Sequence, residues 1–93
     1  MQKGENKVVV YKPSQEEIQE ALKWNTWSKE VSSFEWFYHT KEKFYVVQGE
    51  VEVILDDGRK IHIKEGDMAI FERNVKCTWN VKKPIFKHYT FLE

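Results

Sequence analysis

From Phe34 to Leu92 the chain keeps a hydrophobic period of two, and this constrains its fold more than any other feature. Phe34, Trp36 and Tyr38 alternate with Glu35, Phe37 and His39, and Val51, Val53 and Leu55 alternate with Glu50, Glu52, Ile54 and Asp56. Successive side chains of a strand point to opposite faces, so the pattern predicts half-buried β-strands. Turn signals stand at Gly49, Asp57-Gly58, Glu65-Gly66-Asp67 and Lys82-Lys83-Pro84, a spacing of about ten residues that suits an antiparallel sandwich or barrel. The predicted strands are 34–39, 43–48, 51–55, 60–64, 68–71, 76–81 and 85–92, with 8–11 as an edge strand ended by Pro13. Asp57-Gly58 predicts a type I′ hairpin, in which both central residues have positive φ. No crossover helices separate these strands, which excludes a parallel sheet.

One helix precedes the strands. Ser14 opens a capping box with Glu17, and Ile18, Ala21 and Leu22 follow at helical spacing, which predicts a helix over 15–23. Trp24 and Trp27 come directly after it and are read as packing plugs. Ninety-three residues suffice for one small domain. Lys plus Arg balances Asp plus Glu at 15 each, and a nucleic-acid or anionic-membrane binder needs a cationic surplus. Four Trp, four Tyr and six Phe need either a dense core or a ring-lined pocket. Cys77 is the only cysteine, so an internal disulfide is impossible and a reducing, cytoplasmic setting is expected. The N-terminal MQKGENKVVVYKP has no apolar signal-peptide core, and no apolar run approaches the ~20 residues of a membrane span.

The stretch Tyr38 to Val53, Y-H-T-K-E-K-F-Y-V-V-Q-G-E-V-E-V, resembles the first motif of the cupin superfamily, and Gly66-Asp67-Met68-Ala69-Ile70-Phe71 resembles the second. Together with F-x-W-x-Y, C-T-W-N-V and K-H-Y, these residues resemble a branch of small cupins related to ureidoglycine aminohydrolase and to the ethanolamine-utilisation cupin. The resemblance implies an all-β, antiparallel jelly-roll barrel with one short N-terminal helix. It implies one cupin domain over 1–93, with 1–33 as strand, helix and Trp-containing connector and 34–92 as the barrel.

Metal-binding members place His-x-His before the glutamate and a third His in the second motif. In this chain the corresponding positions hold Trp36 and Tyr38 (or Glu35 and Phe37), and the third holds Cys77. Only Glu42 remains. Glu42, Cys77 and a free histidine would make a weak site at best, so no metal or other cofactor is expected.

Glu42 is nevertheless the most informative residue. Alternation carries Thr40 and Glu42 to the face of Phe34, Trp36 and Tyr38. The related cupins suggest that Lys87 and Tyr89 point inward, which would make Lys87 the partner a buried carboxylate needs. His88 would then point outward. The expected site is therefore Trp36, Tyr38, Glu42, Cys77, Trp79, Lys87 and Tyr89, with Glu42, Tyr38 and Lys87 as the groups able to do chemistry. Against this, Lys41-Glu42-Lys43 could be a solvated charge run, Cys77 a buried small hydrophobe, and Trp36 and Trp79 plain core. His39 reads as a rim residue and His62 as outward-facing. The expected function is binding of a small polar or carboxylated molecule. The alternatives are an aminohydrolase-like release of ammonia with Glu42 as base, or a structural module that pairs as a homodimer. Nucleic acid and membrane are not expected as partners.

Overall fold

The alternation is realised as one helix and seven strands in the computed structural model, which describes residues 7–92. Residues 1–6, on which the reading of the N-terminus partly rests, and residue 93 lie outside the described residues. In chain order the elements are β1 (Val8–Tyr11), α1 (Gln15–Ala21), β2 (Asn25–Lys29), β3 (Ser32–Phe37), β4 (Glu42–Leu55), β5 (Lys60–Lys64), β6 (Met68–Phe71) and β7 (Lys76–Phe91). Every pairing is antiparallel. The two long strands, β4 and β7, pair along most of their length and form the spine. β4 carries β6 and β5 on its other side, and β7 carries β2 and β3. The order β1-β6-β4-β7-β2 ends in β1 and β2, and no pairing among the described residues joins those two. The expected closed barrel is therefore an open ladder at that point.

Two predicted strand breaks turn out to be one feature. Gly49 and Pro84 were expected to end strands, yet β4 runs through the first and β7 through the second. The two residues face each other. Gly49 has φ +103°, and a Cβ there would lie 2.3 Å from the Pro84 carbonyl oxygen and 2.6 Å from Ile85 Cα. Only glycine permits both that backbone and that approach. The ladder is irregular around this contact: the five-residue step from Val46 to Val51 on β4 faces the six-residue step from Lys87 to Val81 on β7. Irregular pairing of this kind bends a sheet and re-aims its side chains. It does so here. Glu42, Phe44 and Val46 are buried before Gly49, and Val51, Val53 and Leu55 after it, whereas the buried residues of β7 are odd-numbered on both sides of Pro84: Cys77, Trp79 and Val81 before it, Ile85 and Lys87 after it. The bend thus brings Glu42 and Lys87 onto the same inner face as Val53 and Trp79.

Other boundaries also move. The helix ends at Ala21, two residues earlier than predicted, and closes with the Lys23 N–H on the Glu20 carbonyl. The capping box is present, with both reciprocal bonds between Ser14 and Glu17. Residues Asn25–Lys29, expected as a connector, form β2 on β7. The Asp57-Gly58 hairpin is not type I′, because only Gly58 of the pair has positive φ (+94°). The Gly58 N–H donates to the Leu55 carbonyl and the Leu55 N–H to that of Arg59, while the Asp57 carboxylate takes the Arg59 N–H. This is the three-residue loop with a left-handed glycine at its end.

Candidate ligand-binding site

β3, β4, β7 and β2 converge on a cavity of about 230 Å³. β3 supplies Phe34 and Trp36, β4 supplies Glu42, and β7 supplies Trp79, Lys87, Tyr89 and Phe91. Tyr38 follows β3, and its backbone is pinned there: its N–H donates to the Val75 carbonyl and its carbonyl accepts from the Asn74 N–H. Asn74 has φ +73°, a conformation asparagine tolerates better than most residues. That tight turn fixes Tyr38, which is buried.

Glu42 and Lys87 stand four positions apart along neighbouring strands, since Glu42 pairs with Phe91 and Val46 with Lys87. The long lysine stem spans the offset. Its Nζ donates to Glu42 Oε2 at 2.9 Å, and both side chains are under a tenth exposed. Four rings surround the ammonium, with centroids at 3.9 Å (Phe44), 4.8 Å (Trp79), 4.9 Å (Trp27) and 6.0 Å (Tyr89). Ring faces are electron-rich, so they partly replace the lost hydration of the cation. Burial still pushes the Lys87 pKa down, and the Glu42 carboxylate offsets this only in part. Tyr38 moves the other way: burial, reinforced by the Glu42 and Cys77 charges, holds its pKa well above the ordinary value, so its hydroxyl stays protonated. The buried Trp79 Nε1–H has no acceptor in hydrogen-bond geometry, although it lies near enough to Tyr38 and Cys77 to favour their ionised forms. A buried donor without a partner is uncommon.

A EutQ-like cupin domain matches residues 16–89, most of the chain and all of this cavity except Phe91. The chain belongs to the EutQ-like cupin domain family. The cupin is 41% identical to a DUF861 family protein from Thermotoga maritima, with a TM-score of 0.88 over 91% of this chain and 99% of that one. Its fold is also that of the Clostridium difficile EutQ protein, at 23% identity and TM-score 0.65 over 71% of this chain and 52% of that one. A putative ethanolamine utilization protein Q from Salmonella typhimurium is 16% identical, with TM-score 0.62 over 90% and 68% of the two chains. No curated protein matches the chain.

The residues present do not fit the metal of metal-binding cupins. Among the described residues, no three His, Cys, Asp or Glu side chains come together. The Glu42 carboxylate is held by an ammonium, which would repel a metal cation. Cys77 is not part of the cavity lining, contrary to expectation. It is buried in the core, its Sγ donates to the Trp36 carbonyl at 3.7 Å, and burial pushes its pKa up to about 11. Burial and the raised pKa keep the thiol protonated at neutral pH and packed as a small group.

The Lys41-Glu42-Lys43 run divides: Lys41 pairs with Glu72, Lys43 reaches toward Glu17, and Glu42 alone turns inward. His39 is exposed, and His62 is exposed beside Glu50. His88 contacts the Trp24 carbonyl instead of entering the cavity. Trp36 lines the mouth and is half exposed. Phe34 and Phe91 line the cavity beyond the expected set, and so does Trp27, which was expected only to pack beside the helix. It stands opposite Lys87 in the β2–β7 ladder, and the one signal was a lone large ring in N-T-W-S-K. Among the described residues, no helix is long and apolar enough to cross a membrane.

Proposed function

We propose that this cupin binds a small, uncharged, polar-headed molecule, with the head at Glu42 and Lys87 and the body against the rings of Trp27, Trp79 and Tyr89. The observation that carries the reading is the buried 2.9 Å ion pair on the wall of a cavity. Burying both charges is unfavourable by several kcal/mol per ion before they attract, and well-packed hydrocarbon would stabilise the fold as well or better. A buried ion pair on the wall of a ring-lined cavity, with burial lowering the lysine's pKa, is the arrangement expected of a small-ligand site. About 230 Å³ is below the ~300–1,000 Å³ of typical ligand clefts, so the molecule is small. Lys87 already balances Glu42, so an uncharged ligand leaves the site neutral and a carboxylate does not. The bend at Gly49 and Pro84 fits the jelly-roll cup that the cupin resemblance implies.

A thermal-shift comparison of small alcohols, amides and aldehydes with their carboxylate counterparts tests this. At a hundredfold excess over Kd a ligand adds about 2.7 kcal/mol, which is roughly 10–20 °C for a chain of this size. The uncharged members should stabilise the wild type and lose that effect in Glu42→Gln. A flat screen, or stabilisation untouched by that substitution, contradicts the reading.

A further inference from the structure

Resting on that reading of the cavity, we propose that Lys87 captures its ligand covalently, as an imine with a small aldehyde or ketone. Imine formation needs a neutral amine, a group to take and return its proton, and little competing water. Lys87 has the last two, and Glu42 supplies the first by taking its proton. Its side chain is 6% exposed, rings surround its Nζ, and Glu42 Oε2 lies at hydrogen-bond distance. By contrast Lys12, Lys23 and Lys83 are 67%, 76% and 72% exposed and stay hydrated. Burial also favours the uncharged form of Lys87.

The steps balance with the residues present. Glu42 takes a proton from Lys87 Nζ and frees its lone pair. The nitrogen attacks the carbonyl carbon, the C–N bond forms, and the C=O π pair moves to oxygen, which receives the proton from Glu42. Glu42 next removes a second proton from nitrogen and passes it to the new hydroxyl. The C–O bond breaks, water leaves, and the nitrogen lone pair closes the C=N bond. The product is an iminium ion that keeps the original positive charge beside Glu42. The Tyr38 hydroxyl and the unpartnered Trp79 Nε1–H are the neutral donors available to the oxygen. Lys87 is the one cation among the described lining residues, so a 2-oxo acid would bring a carboxylate with no counter-charge. An uncharged aldehyde or ketone is the better fit.

The test incubates the whole chain with propanal and sodium cyanoborohydride at neutral pH and locates modified lysines by peptide mass spectrometry. The expected result is a propyl group on Lys87 ahead of every exposed lysine, slowed in Glu42→Gln and absent from position 87 in Lys87→Arg. Pyruvate in place of propanal should label Lys87 more slowly. Wild-type protein labelled only on exposed lysines overturns the proposal, whether or not the variants fold. Propanamide, which cannot condense, separates the two readings by thermal shift. Stabilisation by the amide without a Lys87 label removes the imine and keeps the cavity reading; neither effect removes both.

Discussion

Glu42 and Asp67 are both carboxylates at 6% exposure, each within 3 Å of a lysine ammonium, and they do different work. Asp67 stands in the turn after Gly66. Its Oδ2 accepts the Lys64 N–H at 2.9 Å and its Oδ1 meets Lys12 at 2.7 Å. Lys12 remains 67% exposed, so the turn gains an acceptor while one partner keeps its water. Glu42 takes its partner into the interior, where Lys87 is 6% exposed, and both line open space. The first arrangement is explained by the fold. The second removes two charges from water where the fold has no need of them. Burial alone does not separate the two carboxylates; the solvation of the partner does.

Removing one partner at each carboxylate tests that contrast. Lys87→Met leaves Glu42 buried and unpaired and should destabilise the chain by about 3–5 kcal/mol in denaturant unfolding. A loss below about 1 kcal/mol would show that Glu42 reaches water. Asp67→Ala removes the acceptor of the Lys64 N–H and should destabilise by about 1–3 kcal/mol, with ligand-induced thermal shifts unchanged. A loss of ligand response there would erase the distinction. A smaller effect is expected from Cys77, which is buried but outside the cavity. Its pKa rises on folding from 9.0 to about 11, so the unfolded thiol ionises first. Its contribution is complete below pH 9 and is lost as pH rises through about 11. Melts across that range should fall less steeply in Cys77→Ala, and iodoacetamide at pH 8 should modify Cys77 only after unfolding. Lys12→Ala should be the mildest change, within about 1 kcal/mol, because its ammonium is largely solvated.

The inward residues were legible because alternation is a local property. Once Lys87 is placed inside, Tyr89 follows by a step of two, and Glu42, Phe44 and Val46 follow one another along β4; the step from Tyr38 to Glu42 crosses residues 38–41, which are not strand. Pairing between strands is not local, and there the sequence reading failed. Gly49 and Pro84 each announce an irregularity, but nothing near either one says that they meet across β4 and β7 and let both strands continue. Trp27 was read with the helix before it, because N-T-W-S-K has one apolar residue and its ring packs against Phe34 and Trp79 on strands distant in sequence. At Asp57-Gly58 the turn dipeptide was recognised, but not the Asp57 bond to the Arg59 N–H that accompanies the wider loop. Cys77 shares the alternation of Trp79 and still lies outside the cavity, with its sulfur against the Trp36 carbonyl.

The direct test of the central claim is the unfolding free energy of the double variant Glu42→Leu, Lys87→Met, set beside each single variant. If the pair is kept for a ligand, the double variant should equal the wild type or exceed it by about 1–4 kcal/mol, while each single variant falls. A double variant several kcal/mol less stable than wild type would show that the pair holds the fold together, and would contradict the account.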